Sequence, residues 1–302
     1  MSKKPAKSIA AELDSFIGPF RVDGSRKFHL AAQKTRYKGG LDKGEAEAII
    51  EANRKRLSDF QEKLYAQDRW SLLLIFQGMD AAGKDSAIKA VFEGVNPQGC
   101  EVTSFKQPNN HELDHDFMWR CVLALPERGR IGIFNRSYYE ECLVTRVHPH
   151  LLKAEKLPPS LVTKHIWRER FEDINALERY LTRNGVIVRK FFLHLSKQEQ
   201  RQRLLDRLDR PEKNWKFSLD DVRERQRWGS YMRANEDMIR NTATDYAPWY
   251  VVPADHKWFT RLVVAEVIVD ALESLDLSYP KVSSAKRKEL AAARTALRIN
   301  KA

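Results

Sequence analysis

The segment Gly78-Met79-Asp80-Ala81-Ala82-Gly83-Lys84-Asp85 fits the pattern G-x-x-x-x-G-K, and its flanks restrict the fold more than any other feature of the chain. Residues 72–76 before it are uniformly apolar and read as a buried strand, while residues 84–92 after it open a helix. Glycines permit close backbone approach, successive N–H groups and the helix N-terminus hold an anion, and Lys84 places a mobile positive charge on it. Gly78, Ala81, Ala82, Gly83, Lys84, Asp85 and Ser86 are the expected phosphate-binding residues. The alternative is an ordinary strand-to-helix turn, and the correct placement of both strand and helix argues against it.

Two acidic residues depart from the usual loop. Asp85 stands where a Ser or Thr hydroxyl normally meets Mg²⁺, which leaves Ser86 as the available hydroxyl. Asp80 sits among groups arranged for anions, either as a loop-stabilising cap or as a carboxylate that binds Mg²⁺ or orients a phosphate acceptor.

Beyond the loop, short apolar runs at residues 71–76, 101–105, 130–134, 186–195 and 249–252 alternate with helical segments. Such alternation predicts an α/β fold with a parallel five-stranded sheet flanked by helices on both faces, and ligands gather beyond the carboxyl ends of its strands. Residues 43–65 form an amphipathic helix, with Ile50, Leu57, Phe60 and Leu64 at helical spacing. Residues 148–160 read as a Pro-bearing loop, and the polar, basic stretch 209–219 reads as part of a helical lid over about 205–230. The expected organisation is a basic arm over 1–40, one domain over 41–278 and a basic tail over 279–302. Residues 283–298 could form a basic helix that meets nucleic acid or a partner subunit, or a solvated tail.

The formal net charge of +12 is confined to the ends: residues 1–40 and 279–302 each carry +6, and the middle is neutral. Basic ends either embrace a polyanion or are solvated arms. No apolar stretch approaches the roughly 20 residues of a membrane span, and no apolar run follows the N-terminal lysines as in a secretory signal, so a soluble, cytoplasmic protein is the expectation. Cys100, Cys121 and Cys142 are too dispersed for a disulfide framework or a Cys-based zinc site, and read as reduced core residues.

The run 131–134 ends in Asn135-Arg136-Ser137-Tyr138-Tyr139-Glu140. A Walker B strand would finish with a metal-holding Asp. Asn135 cannot supply that charge, so Mg²⁺ would draw carboxylates from Asp80, Asp85, Glu140 or Glu141. Arg136, at a strand tip, is suited to the negative charge developing on a transferred phosphoryl, with a structural ion pair as the alternative.

Four ordered motifs now stand together: the loop itself, Ser104-Phe105-Lys106-Gln107-Pro108, Phe134-Asn135-Arg136-Ser137-Tyr138-Tyr139-Glu140, and Lys213-Asn214-Trp215-Lys216-Phe217-Ser218. From about residue 39 to 280 the chain resembles the polyphosphate kinase 2 family. The resemblance implies Mg²⁺-dependent phosphoryl transfer between inorganic polyphosphate and a purine nucleotide (AMP/ADP or GMP/GDP), on a P-loop kinase-like three-layer fold similar to thymidylate kinase. It implies that Lys84 and the loop amides hold phosphate, that Asp80 acts near metal and acceptor, and that Arg136 meets the transferring phosphoryl. Lys213 and Lys216 fall in the family's lid. Asn135 with Glu140 resembles the subgroup accepting both mono- and diphosphates, which puts Asn135, Arg136 and Glu140 at the nucleotide, and Asp80 and Glu140 at the metal.

Polyphosphate offers no base or sugar to read, so its binder needs rows of Lys and Arg. Lys106 follows the second strand, Arg120 lies on the next helix, and residues 201–227 hold nine basic against six acidic residues, including Arg207, Arg210, Lys213 and Lys216. Direct in-line transfer needs no phosphohistidine.

Three competing readings remain: an ATP-dependent nucleoside monophosphate kinase of thymidylate kinase-like fold, a nucleic-acid-binding protein using its basic ends, which is disfavoured, and a zinc peptidase. The last rests on His111-Glu112-Leu113-Asp114-His115, which matches H-E-x-x-H. Asn110 before it reads as an N-cap, and no downstream motif names a third ligand. Trp249, Tyr250, Trp258 and Phe259 read as core around the last strand, with base stacking as the alternative. A homo-oligomer is allowed, although no interface signature is visible.

Overall fold

The structure is a computed structural model and describes residues 16–299, so parts of the expected arm (1–15) and tail (300–302) lie outside it. Five strands run parallel: β2 (Ser71–Gln77), β3 (Cys100–Ser104), β4 (Ile131–Asn135), β5 (Val186–His194) and β6 (Trp249–Pro253). Their arm-derived neighbour β1 (Arg21–Val22) pairs antiparallel with β6 and makes the sheet six-stranded, in the order β1-β6-β5-β2-β4-β3. Two residues are too short a run to show a strand period, and pairing to the open edge of β6 is what makes them one.

Among the described residues the numbered helices are α1 (Lys43–Gln67), α2 (Lys84–Val91), α3 (Asn110–Leu113), α4 (Trp119–Val122), α5 (Glu140–Val147), α6 (Ile166–Arg183), α7 (Lys197–Asp209), α8 (Leu219–Gln226), α9 (Trp228–Thr242), α10 (Lys257–Glu273) and α11 (Ser284–Ile299). Alternate residues of β2 enter opposite cores. Leu72, Leu74 and Phe76 join Leu57 and Leu64 of α1, Ile88 of α2 and Val263 of α10 on one face. Leu73 and Ile75 join Cys142 of α5, Ile174 of α6 and Met238 of α9 on the other. A strand buried on both faces reads as an uninterrupted apolar run, which is why residues 72–76 show no polar alternation.

Trp249, Tyr250 and Phe259 are buried in these cores, with Trp258 packed beside them. The three cysteines are unpaired, and burial pushes each thiol up to about 12. The Pro-bearing segment is not irregular throughout: Pro149–Glu155 and Pro159–Leu161 are 3₁₀ turns. Among the described residues no helix is long and apolar enough to cross a membrane.

The register carries the strand ends to one edge. Asn135 of β4 pairs with Phe76 of β2 and with Ser104 of β3, so the loops that leave β2, β3 and β4 open side by side.

Candidate active site

The phosphate loop is built on backbone that side chains disfavour. Gly78 has φ +150°, and a Cβ there would lie 3.0 Å from the Leu193 carbonyl oxygen of β5. Gly83, the N-cap of α2, has φ +104°. Ala81, between them, is left-handed at φ +63°, a conformation an alanine holds only when its surroundings impose it.

The imposing groups come from α7. Arg203 is 7% exposed, and its guanidinium donates to the carbonyls of Ala81 (3.0 Å) and Ala82 (2.9 Å), and to that of Ala254 (2.5 Å). Gln200 donates to the Asp80 carbonyl at 3.0 Å. The carbonyls of Asp80, Ala81 and Ala82 are thus taken from behind, and within the loop the Ala82 N–H donates to the Met79 carbonyl at 3.0 Å.

Lys84 is buried at the start of α2, and its Nζ donates to the Gly78 carbonyl at 2.8 Å. Burial first, and the Arg136 charge second, push its pKa down, while Asp80, Glu140 and Asp85 hold it up. A desolvated ammonium beside guanidinium is primed for a strong anionic partner. The Ser86 hydroxyl donates to the Gly83 carbonyl at 2.9 Å.

Arg136 also adopts the left-handed conformation, with φ +66°. Its N–H donates to the Phe76 carbonyl at 3.0 Å, and its guanidinium is held between Asp80 (2.9 Å) and Glu140 (3.2 Å). Those carboxylates, Glu140 foremost, raise its pKa against desolvation. Gln77, with its amide turned to satisfy both neighbours, donates to the other Glu140 oxygen at 2.8 Å and accepts from Ser137. One Glu140 oxygen therefore meets Arg136 while the other is held by Gln77.

Asn135 donates its amide to Asp85 at 2.5 Å. The Asp that ends an ordinary Walker B strand would set two carboxylates against each other here. Asn135 and Asp85 are thus complementary departures from the usual loop.

A cavity of about 640 Å³ opens over the loop. Among its walls are Lys106, Asn135, Arg136 and, from α7 and the 3₁₀ turn Pro211–Lys216 after it, Arg207, Lys213 and Lys216. Those last three cations already have partners: Arg207 with Asp221 at 3.2 Å, Lys213 with Asp206 at 2.5 Å, and Lys216 over the Trp215 ring at 4.9 Å. A second cavity of about 270 Å³, with Phe105, Leu113, Val144 and Leu151 in its walls, shares Lys106 and Arg136 with the first.

Two expected phosphate ligands are placed elsewhere. Arg120 faces the second cavity, with its guanidinium bonded to the Lys106 carbonyl at 2.7 Å and near Glu112 (3.8 Å) and Glu141 (3.6 Å). Arg210 is exposed and closes on its neighbour Glu212 at 2.7 Å. Glu141, a sequence candidate for Mg²⁺, is buried beside Arg120 and Arg170 and accepts from Thr145, away from the loop. Burial raises its pKa, and Glu155 raises it further.

Gln77, Gln200, Arg203 and Lys257, which opens α10 at the cavity wall, were not singled out from sequence. Positions 200, 203 and 207 share one face of a helix, so spacing backward from Arg207 is the signal that finds the first two of α7.

The H-e-x-x-h segment behaves as packing. Asn109, not Asn110, caps α3, in a reciprocal pair with Glu112, because the Asn109 side chain reaches the Glu112 N–H at 3.0 Å. The Glu112 carboxylate returns to the Asn109 N–H at 2.8 Å. His115 stacks on Trp119 at 3.8 Å, with His111 edge-on to both.

The family model described as Polyphosphate kinase 2 (PPK2) matches residues 40–280. The chain belongs to the polyphosphate kinase 2 family. It is 50% identical, over 90% of its length and 94% of the relative's, to the ADP-polyphosphate phosphotransferase of Rhodopseudomonas palustris. It is 42% identical, over 89% of its length and 97% of the relative's, to the AMP/ADP-polyphosphate phosphotransferase of Meiothermus ruber. A crystal structure of polyphosphate kinase 2 from Arthrobacter aurescens TC1 superposes with a TM-score of 0.82 at 37% identity, covering 91% of this chain and 95% of that one. The chain is accordingly a kinase of this family with a P-loop kinase-like fold, and the polyphosphate kinase 2 assignment displaces the nucleoside monophosphate kinase reading.

Proposed function

We propose that the protein transfers a phosphoryl group in line between inorganic polyphosphate and AMP or ADP. The observation that carries the reading is the junction of two cavities at Arg136: a basic one over the phosphate loop and an apolar-walled one beside it. The first suits a polyanion without base or sugar, and the second suits a nucleoside. The names of the relatives at 50% and 42% identity support ADP, and AMP with ADP, as acceptors.

In this reading Lys84 and the loop amides hold the donor's terminal phosphates, and the chain behind them is held by Arg207 and Lys213, which exchange carboxylates for phosphate, and by Lys216, which leaves the Trp215 ring. An acceptor phosphate oxygen attacks the terminal phosphorus, a new P–O bond forms as the phosphoanhydride bond breaks, and the shortened chain leaves with the electron pair. Arg136 neutralises charge on the moving phosphoryl, with Asp80 and Glu140 fixing its plane. Asp80 and Asp85 offer hard oxygen donors at the cavity wall, a set that suits Mg²⁺ bound by one or two carboxylates and substrate phosphates. When bound there, Mg²⁺ supplies charge neutralisation on the phosphate oxygens. Residues 41–278 are taken as the catalytic unit.

The test is ATP formation from ADP and long-chain polyphosphate with Mg²⁺ and no other donor, and ADP formation from AMP under the same conditions. Both are expected, and Lys84→Ala is expected to abolish both while its melting temperature stays near that of the wild type. No product from either acceptor overturns the reading. Transfer to AMP from ATP alone would restore the nucleoside monophosphate kinase. Salt-sensitive binding to duplex DNA that survives loss of Lys84 would favour the nucleic-acid reading.

A further inference from the structure

We infer that Tyr138, Tyr139, Glu178 and Lys190 are positioning residues: a buried polar cluster that holds the left-handed backbone of Arg136 and so aims its guanidinium. The inference rests on the proposed role of Arg136 at the transferring phosphoryl.

Arg136 cannot keep its conformation by local preference, since the left-handed region crowds the Cβ of an L-residue. Before it, β4 and the bond to the Phe76 carbonyl fix the chain. After it, Ser137, Tyr138 and Tyr139 enter the core at no more than 1% exposure. Both phenols end on one carboxylate oxygen: Tyr138 donates to Glu178 Oε1 at 2.9 Å and Tyr139 at 2.7 Å. The other oxygen accepts from Lys190 Nζ at 2.5 Å. Lys190 also donates to the Thr242 carbonyl at 2.7 Å and to the Tyr139 hydroxyl at 3.0 Å. An ammonium has three donors, and all three are used.

The cluster draws on the consecutive elements α6 and β5 and on the end of α9, each about 40 residues or more beyond the two phenols in the chain, and they meet at those phenols. Burial pushes both phenol pKa values well up, so both remain donors. A fully buried ion pair is poor value as pure stabilisation, because desolvation offsets the attraction and apolar residues of the same volume hold a core equally well. Apolar packing, however, is non-directional, whereas a hydrogen bond fixes where a phenol oxygen must lie. Two hydroxyls on one oxygen set the depth and rotation of the Tyr138-Tyr139 step, and Arg136 lies two residues before it.

The test is Tyr138→Phe with Tyr139→Phe, which keeps the rings and removes the hydroxyls. The expected result is a loss in kcat of about 10- to 100-fold with KM for polyphosphate and ADP within about twofold, as for misplacement of one group near the reacting centre. The same pair introduced into Arg136→Ala should cost nothing further. Hydrogen–deuterium exchange reads the event without turnover: residues 134–140 should exchange at least about 10-fold faster in the double variant, with β5 and α6 unchanged. The apolar pair Glu178→Leu with Lys190→Met, which removes the acceptor shared by the phenols, should give the same loss in kcat and the same faster exchange at 134–140. Unchanged kcat, an equal loss in the Arg136→Ala background, or unchanged exchange at 134–140 each overturns the inference. An inactive wild-type protein defeats the proposed function instead, and the exchange result then still decides whether the cluster holds Arg136.

Discussion

Burial keeps the His194 imidazole neutral at the carboxyl end of β5: desolvation pulls its pKa from 6.5 to about 4, against weaker opposition from the Gln33 backbone and Asp255. Its Nδ1 is buried with no hydrogen-bond partner among the described residues. Because the folded value lies below the unfolded one, the unfolded chain takes up the proton first as pH falls. The neutral ring's contribution is therefore complete above about pH 6.5 and is lost as pH falls toward 4, an amount of about 3 kcal/mol. Urea unfolding at pH 7 and pH 4.5 should show His194→Gln losing less stability over that interval than the wild type, by about 2 kcal/mol. Equal losses would show that His194 does not titrate with folding. The chain offers no local signal for this, since a histidine ending an apolar run looks the same whether it faces solvent or core.

At the scale of elements, α7 is the brace of the phosphate loop. Gln200 and Arg203 occupy the carbonyls of Asp80, Ala81 and Ala82, and so help hold the left-handed Ala81. Removing Arg203 leaves buried acceptors without donors, at about 1–3 kcal/mol for each group left unpaired. Arg203→Ala should therefore lower unfolding stability by about 3 kcal/mol and raise KM for polyphosphate. Arg210→Ala, whose charge is exposed and paired locally with Glu212, should alter stability by less than about 0.5 kcal/mol. Thermal and denaturant melts with steady-state kinetics separate the two. The strand-loop-helix at 71–91 was legible because its glycines, apolar run and lysine act locally. The division of labour among the nine basic residues of 201–227 was not, because composition says nothing about which face of a helix meets the loop.

Over the whole molecule, the neutral middle of the chain carries both cores and the site, and the basic ends are attached in different ways. Part of the arm is integrated: β1 completes the sheet, and Phe28 and Leu30 are buried. In the tail, every described side chain of α11 is exposed, with Leu297 at 73%. Deleting residues 284–302 should thus change the melting temperature by less than about 2 °C and leave turnover unchanged, since none of the described side chains of α11 is buried in a core. A larger fall would show that α11 is packed in solution. The alternation of strands and helices, the phosphate loop with its two unusual aspartates, and the Arg136 motif were all determined by the sequence itself, because each depends on near neighbours and on backbone preference. Tertiary structure alone decided that Asn135 answers Asp85, that Arg120 turns to the second cavity, that Arg203 takes the loop's carbonyls, and that Lys190 and Glu178 lock the step after Arg136. Those are choices of partner between residues distant in the chain, and a charge has no preferred partner until packing sets distance and dielectric together.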